Sequence, residues 1–318
     1  MAAAVEYSLT AGDLDEIYEA CKNWGRWGAD DQMGALNLLT DEVRAKGAAA
    51  VRSGRAISCA HDFPVMPSAE TPVPGCHHMI TAGDARDSSG IPGYEATQDY
   101  VGTNVHGLGI THIDALCHMF VRGEMYNGFL PADVRSNGGA RRNSIMAAVD
   151  NLVGRCILID VPGVRGVEFL EPHQTVTVAD LEAAEEAQKV RVEPGDMVVI
   201  STGRDARRAA HNGQLSPFFQ GLSGLHPECA RWLKDRGVSV LGSDGISDHM
   251  PAGPVPGWPF PIHQIGITAV GLHLIDNMRL DVLAAACADA GRWAFQLSVA
   301  PLRVVGGTGC PVNPIALL

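Results

Sequence analysis

Three short apolar runs, CILIDVP at 156–162, DMVVIST at 196–202 and VSVLGSD at 238–244, limit what this chain can fold into. Each is short, apolar and rich in β-branched residues, the pattern of a strand covered on both faces. Between them stand amphipathic helical patterns, VADLEAAEEAQKV and HPECARWLKDRG. Strand and helix in alternation build an α/β body around a parallel or mixed sheet. The pattern continues with AVGLHLIDNM as a strand, RLDVLAAACADAGR as an amphipathic helix and AFQLSVAPLRV as a last strand.

Ahead of this body, Leu14, Ile17, Tyr18 and Cys21 share one helical face, and Thr40 is placed to cap a second helix that a glycine should end. Residues 1–55 thus form a helical lead-in. From 63 to 94 the chain is rich in Pro, Gly, Asp and Ser without a sustained period, which predicts a long loop. No break in composition and no repeat divides the chain, so a single domain over 1–318 is expected.

Charge and cysteine usage exclude several classes. The net charge is −12, with basic residues scattered or paired, so nucleic acid and anionic membrane are not expected partners. The N-terminal stretch lacks the charge and apolar core of a signal peptide, and no run reaches about 18 apolar residues; a cytoplasmic protein is expected. Eight cysteines without a CxxC pair read as buried free thiols. There is no GxSxG, no GxGxxG after a strand and no HExxH, so serine-hydrolase, dinucleotide and zincin readings lose their support.

The chemistry concentrates in GITHIDALCH, residues 109–118. DYVGTNVHG alternates like a strand, glycines 107 and 109 bend it, and ITHID resumes. In extended chain His112 and Asp114 project to one face. Imidazole and carboxylate together suit zinc or manganese. His106 could add a third ligand if the glycines curl the chain back, and His118 could act as general base toward a bound water. The same residues could instead form an ordinary imidazole–carboxylate hydrogen bond, with His106 and His118 at the surface.

Thr111, His112, Asp114 and His118 reproduce the T-H-x-D-x-x-x-H part of the motif H-x-G-T-H-x-D-x-P-x-H, so the stretch resembles the metal-dependent cyclase family, which includes kynurenine formamidases and isatin hydrolases. NWGRWGADDQMGALNLLT and APLRVVGGTGCPVNPIA are similar to the family's flanks. The resemblance implies that His112 and Asp114 bind the metal and that His118 transfers a proton. Leu108 stands where the family has its first histidine and Leu116 where it has proline. A two-residue expansion, HGLGITH, would give the vacant ligand role to His106.

A second cluster lies in PIHQIGITAVGLHLIDNM, where His263 precedes Asp276 by thirteen residues. The family has a histidine near the first position, and its two-metal formamidases have a glutamate further on. Asp276 is one methylene shorter, which implies one ion, Mn2+ or Zn2+, held by His106, His112, Asp114 and Asp276. His263 would then be a proton shuttle or outer ligand; a structural histidine and a capping aspartate is the other reading of this pair. The resemblance further implies a mixed, barrel-like sheet of the swivelling β/β/α type and a homodimer or higher homo-oligomer. The expected function is hydrolysis of a C–N bond in a small cyclic amide or N-acyl compound. A lactonase, a ring-closing cyclase on the same site, or a non-catalytic ligand-binding member are the alternatives.

His77 and His78 could border the substrate or be a solvated pair, and His273 reads as a satisfied core residue. Asp244, Asp248 and His249 are candidates for the rim of the site, following a strand. Trp24, Trp27 and Phe63 could form an aromatic wall or simply pack.

Overall fold

The computed structural model describes residues 9–84 and 90–318. Nine strands make one curled, mixed sheet: β1 (Ala56–Ser58), β4 (His112–Asp114), β7 (Val153–Asp160), β8 (Met197–Ser201), β9 (Val240–Ser243), β10 (His273–Asp276), β11 (Ala294–Ser298), β12 (Gly309–Pro311) and β13 (Ile315–Leu317). Their spatial order is β1-β13-β11-β7-β8-β9-β10-β4-β12. The centre, β7 to β10, is parallel, and every flanking pair is antiparallel. Two small ribbons stand apart, β2 (Cys76–Thr81) with β3 (Gln98–Gly102) and β5 (Val134–Arg135) with β6 (Gly139–Ala140).

The central strands alternate between two apolar layers, as a sheet covered on both faces must. Val198, Ile200, Leu241 and Leu274 join one core with helices α1 (Ala11–Cys21), α4 (Val178–Ala187), α7 (Cys229–Asp235) and α8 (Pro261–Ile265). Met197, Val199, Val240 and Ile275 join the other with α9 (Asp281–Ala290). The expected α/β body is therefore observed, strand for strand in its parallel centre. All eight cysteines are free, and all but Cys76 are buried. Among the described residues no helix is long and apolar enough to cross a membrane.

The lead-in helix α1 buries Leu14, Ile17, Tyr18 and Cys21 behind a Thr10–Asp13 capping box. Helix α2 (Asp41–Ala50) starts at the Thr40 cap, but no glycine ends it. Val51 turns the chain extended so that the Ser53 and Gly54 N–H groups can donate to the Leu318 carbonyl. Residues 63–94 are not all loop either, since β2 lies within them. Nearly every residue of β2 is exposed, so no buried period marks it; its partner β3, some twenty residues on, overlaps the start of the alternating run DYVGTNVHG and ends at Gly102. Residues 85–89 of that expected loop lie outside the described residues.

Candidate functional site

The site begins with strand parity. Ile113 points into the α9-side core, which turns His112 and Asp114 to the opposite face. β10 runs antiparallel beside β4, with Asp276 directly opposite His112, so Asp276 shares that face. His112 Nδ1 donates to the Ile110 carbonyl at 2.8 Å, leaving Nε2 aimed at Asp114 Oδ1, 3.4 Å away.

The other imidazoles arrive from irregular chain. His106 comes back over the bend at 107–110 to put Nδ1 2.8 Å from Asp114 Oδ1, while its Nε2 meets the Thr308 hydroxyl at 2.9 Å. A tight turn closed by the His118 N–H on the Ala115 carbonyl returns His118, whose Nε2 lies 3.8 Å from Asp114 Oδ2. Its ring stacks on His106 with centroids 3.7 Å apart. His263 sits in α8, where Asp248 accepts from the backbone N–H groups of Ile262 and His263 and from His263 Nδ1, at 2.8, 2.9 and 2.7 Å. That triple hold directs His263 Nε2 between Asp114 and Asp276, at 3.4 and 3.3 Å.

Four imidazoles thus surround one fully buried carboxylate. Burial alone would raise the Asp114 pKa, but the imidazoles of His106, His112 and His263 facing it hold it well below the usual carboxylate range. Burial opposes protonation of His112 as well; Asp114, with help from Asp276, nevertheless raises it to about 9. His263, against the same burial, is pushed well above normal by Asp276, Asp114 and Asp248. His118 goes the other way: burial and the neighbouring imidazoles, opposed by Asp114, lower it to about 4, so it is neutral at physiological pH.

The donor set fits a divalent cation. Asp114 Oδ2 and Asp276 Oδ1 are buried with no hydrogen-bond donor among the described residues, which is costly unless something positive satisfies them. The potential donor atoms of His106, His112 and Asp114 lie within 4.8 Å of one another, as do those of Asp114, His263 and Asp276. Asp114 belongs to both groups, and Asp276 falls with His263 rather than with His106 and His112.

A cavity of about 330 Å³ opens onto these residues. Leu108, Met119, Phe218, Ile246, Met250 and Phe260 supply its apolar walls. The aromatic side chains are therefore Phe218 and Phe260; of the two readings open for Trp24, Trp27 and Phe63, the wall is not the one observed. Trp24 instead packs on the α1-side core with Nε1 donating to the Thr268 carbonyl, and Phe63 lines a different cavity.

Asp244, Asp248 and His249 do not form a rim. All three are buried; Asp248 holds His263 from behind, and Asp244 accepts the N–H groups that start α5 (Arg204–Ala210). His77 and His78 are exposed on β2, the first 3.0 Å from Asp99 and the second stacked on Tyr100. His273 is in the core as expected, but neither ring nitrogen has a partner among the described residues; burial keeps it neutral by lowering it to about 4. Thr308 was missed altogether, because the glycines around it in VVGGTGCP gave no sign of contact with His106. Gly309 next to it has no room for a Cβ, which would stand 2.6 Å from the Ile113 carbonyl and 2.9 Å from the His106 ring.

Comparison with known proteins follows the same geometry. Residues 54–248 match the model of the Cyclase family, a span that includes His106 to His118 and stops short of His263 and Asp276. A crystal structure of a novel cyclase aligns with a TM-score of 0.86 at 30% identity, over 95% of this chain and 99% of that one. Isatin hydrolase A from Ralstonia solanacearum aligns with a TM-score of 0.58 at 22% identity, over 82% and 91% of the two chains. A Bacillus stearothermophilus protein described as a "predicted metal-dependent hydrolase" gives 0.52 at 20% identity, over 82% and 97%. No curated protein matches the chain.

Proposed function

This chain belongs to the cyclase family, and from that premise we propose that it is a metal-dependent hydrolase of the C–N bond in a small cyclic amide or N-acyl compound. The observation that carries the reading is Asp114, buried, ionised, ringed by imidazoles and left with one unsatisfied oxygen beside an apolar cavity. His106, His112 and Asp114 would hold the ion, and Asp114 also groups with His263 and Asp276. Imidazole and carboxylate suit Mn2+ or Zn2+. When bound, such an ion supplies Lewis acidity, polarising an acyl oxygen and letting water ionise near neutral pH.

The chain's own residues supply the rest. Neutral His118, which lines the cavity, takes the proton of the attacking water on Nε2 and passes it to the leaving nitrogen. Asp248 fixes His263 so that its Nε2 faces the two carboxylates and cannot rotate away. Leu108, Phe218 and Phe260 seat the apolar part of the substrate and exclude water from the reacting bond. The fold shared with isatin hydrolase supports an amide as the bond cleaved.

The test is metal analysis of purified protein together with turnover of a formanilide or isatin-like probe. A stoichiometric ion in wild type, retained by His118→Ala with turnover abolished, is the expected result. Wild type free of metal sinks the reading; turnover that survives His118→Ala sinks the role of that residue.

A further inference from the structure

His106 and His112 are six residues apart, yet both close on Asp114 Oδ1, at 2.8 and 3.4 Å. The chain between them has no helix or strand to hold it. Irregular backbone so near a buried site needs its polar groups satisfied, and here two side chains from elsewhere in the fold do most of it. Asn277 Nδ2 donates to the Gly107 carbonyl at 2.7 Å and to the Ile110 carbonyl at 3.1 Å. An Arg204 guanidinium nitrogen donates to the Leu108 carbonyl at 2.8 Å.

The two holders are themselves joined. Arg204 donates to Asn277 Oδ1 at 2.6 Å and to the Asp244 carbonyl at 2.9 Å, and the Thr111 hydroxyl donates to the Asn277 carbonyl at 2.6 Å. Asn277 is buried in a left-handed conformation, φ +55°, immediately after Asp276. The same Arg204 nitrogen that donates to Leu108 also faces buried Glu70 at 3.5 Å, and Thr71 lies so close over Gly109 that no Cβ fits there. A strap around residues 70–71 therefore closes the bend from outside.

The geometry points to Asn277 and Arg204 as positioning residues that set the metal affinity of the site by fixing the bend at 107–110, and with it His106. Neither touches the reacting atoms. They do for this bend what regular hydrogen bonding does for His112 and Asp114 on β4. The inference rests on the metal reading proposed above.

A double-mutant cycle tests it, with Zn2+ affinity measured by chelator competition and folding of the metal-free chains checked by circular dichroism. Asn277→Ala should weaken Zn2+ binding by about 10–100-fold, the usual effect of losing an outer partner of a ligand. In a His106→Ala background the same substitution should change it by less than about threefold, because the ligand it positions is gone. Arg204→Lys, which keeps the charge against Glu70 but not the forked donation, should act in the same direction and decides the matter should Asn277→Ala not fold. Unchanged affinity in folded variants, or an equal loss with and without His106, overturns the inference while leaving the metal site standing. Wild type that takes up no Zn2+ overturns the metal reading itself.

Discussion

Asp205, on α5, offers a stability measurement that isolates one buried charge. Its side chain is 16% exposed, and its Oδ2 has no hydrogen-bond donor among the described residues. Burial, reinforced by Asp244 and Asp281, raises its carboxyl to about 7. Oδ1 lies 3.5 Å from His61 Nε2, the spacing of an ion pair. Yet burial and the charges of Arg204, Arg208 and Arg279 lower that imidazole to about 4, so between about pH 4 and 7 both groups are neutral. The unfolded carboxyl releases its proton near 3.8, whereas the folded one keeps it to about 7. Across that window the folded Asp205 keeps a proton that the unfolded carboxyl has released, so its contribution to stability falls as pH rises and levels off above about 7. A gap of about three units corresponds to about 4 kcal/mol. Asp205→Asn removes the ionisation and keeps the shape. The variant should match wild type near pH 4 and exceed it by about 2–4 kcal/mol near pH 8. Urea titrations followed by far-UV circular dichroism measure the difference. A gap independent of pH, or a variant less stable than wild type near pH 8, refutes the reasoning.

Two further outcomes concern the site. Asp248→Asn leaves an acceptor for the α8 backbone but places an amide against His263 Nδ1, so kcat should fall about 10–100-fold with KM little changed; an effect confined to KM would show that His263 binds substrate instead. Chelation should lower stability by about 2.7 kcal/mol relative to protein at an ion concentration 100 times the dissociation constant, read as a fall in urea midpoint that added ion restores and that His112→Ala abolishes.

The parts of the molecule legible in the sequence are those with a period. The runs at 156–162, 196–202 and 238–244 became β7, β8 and β9 because strands buried on both faces are apolar throughout. His112 and Asp114 were legible because a two-residue spacing in extended chain has one geometric meaning. Hidden were contacts between distant segments. Asp248 holds His263 across fifteen positions, Thr308 reaches His106 across 202, and Asn277 grips Gly107 across 170. No local pattern encodes such pairs, because they depend on how β10, β12 and the bend meet. Strand β2 escaped for the opposite reason: with nearly every residue exposed, it carries no apolar alternation to read, whereas its partner β3 overlaps the alternating run DYVGTNVHG.

The pairing of β4 with β10 sets Asp276 across from His112 and Ile275 across from Ile113. A slip of one position between these neighbours would break both relations together, since side chains alternate in pairs: the carboxylate would turn into the apolar layer, and an isoleucine would enter the cavity. The same ladder that lets the domain fold therefore acts as the gauge that spaces its donors, and a chain mispaired there would lose its chemistry and its core in one event. Walls such as Phe218 and Phe260 lie outside that ladder. Substitutions there reshape the cavity while the β4–β10 register stays put.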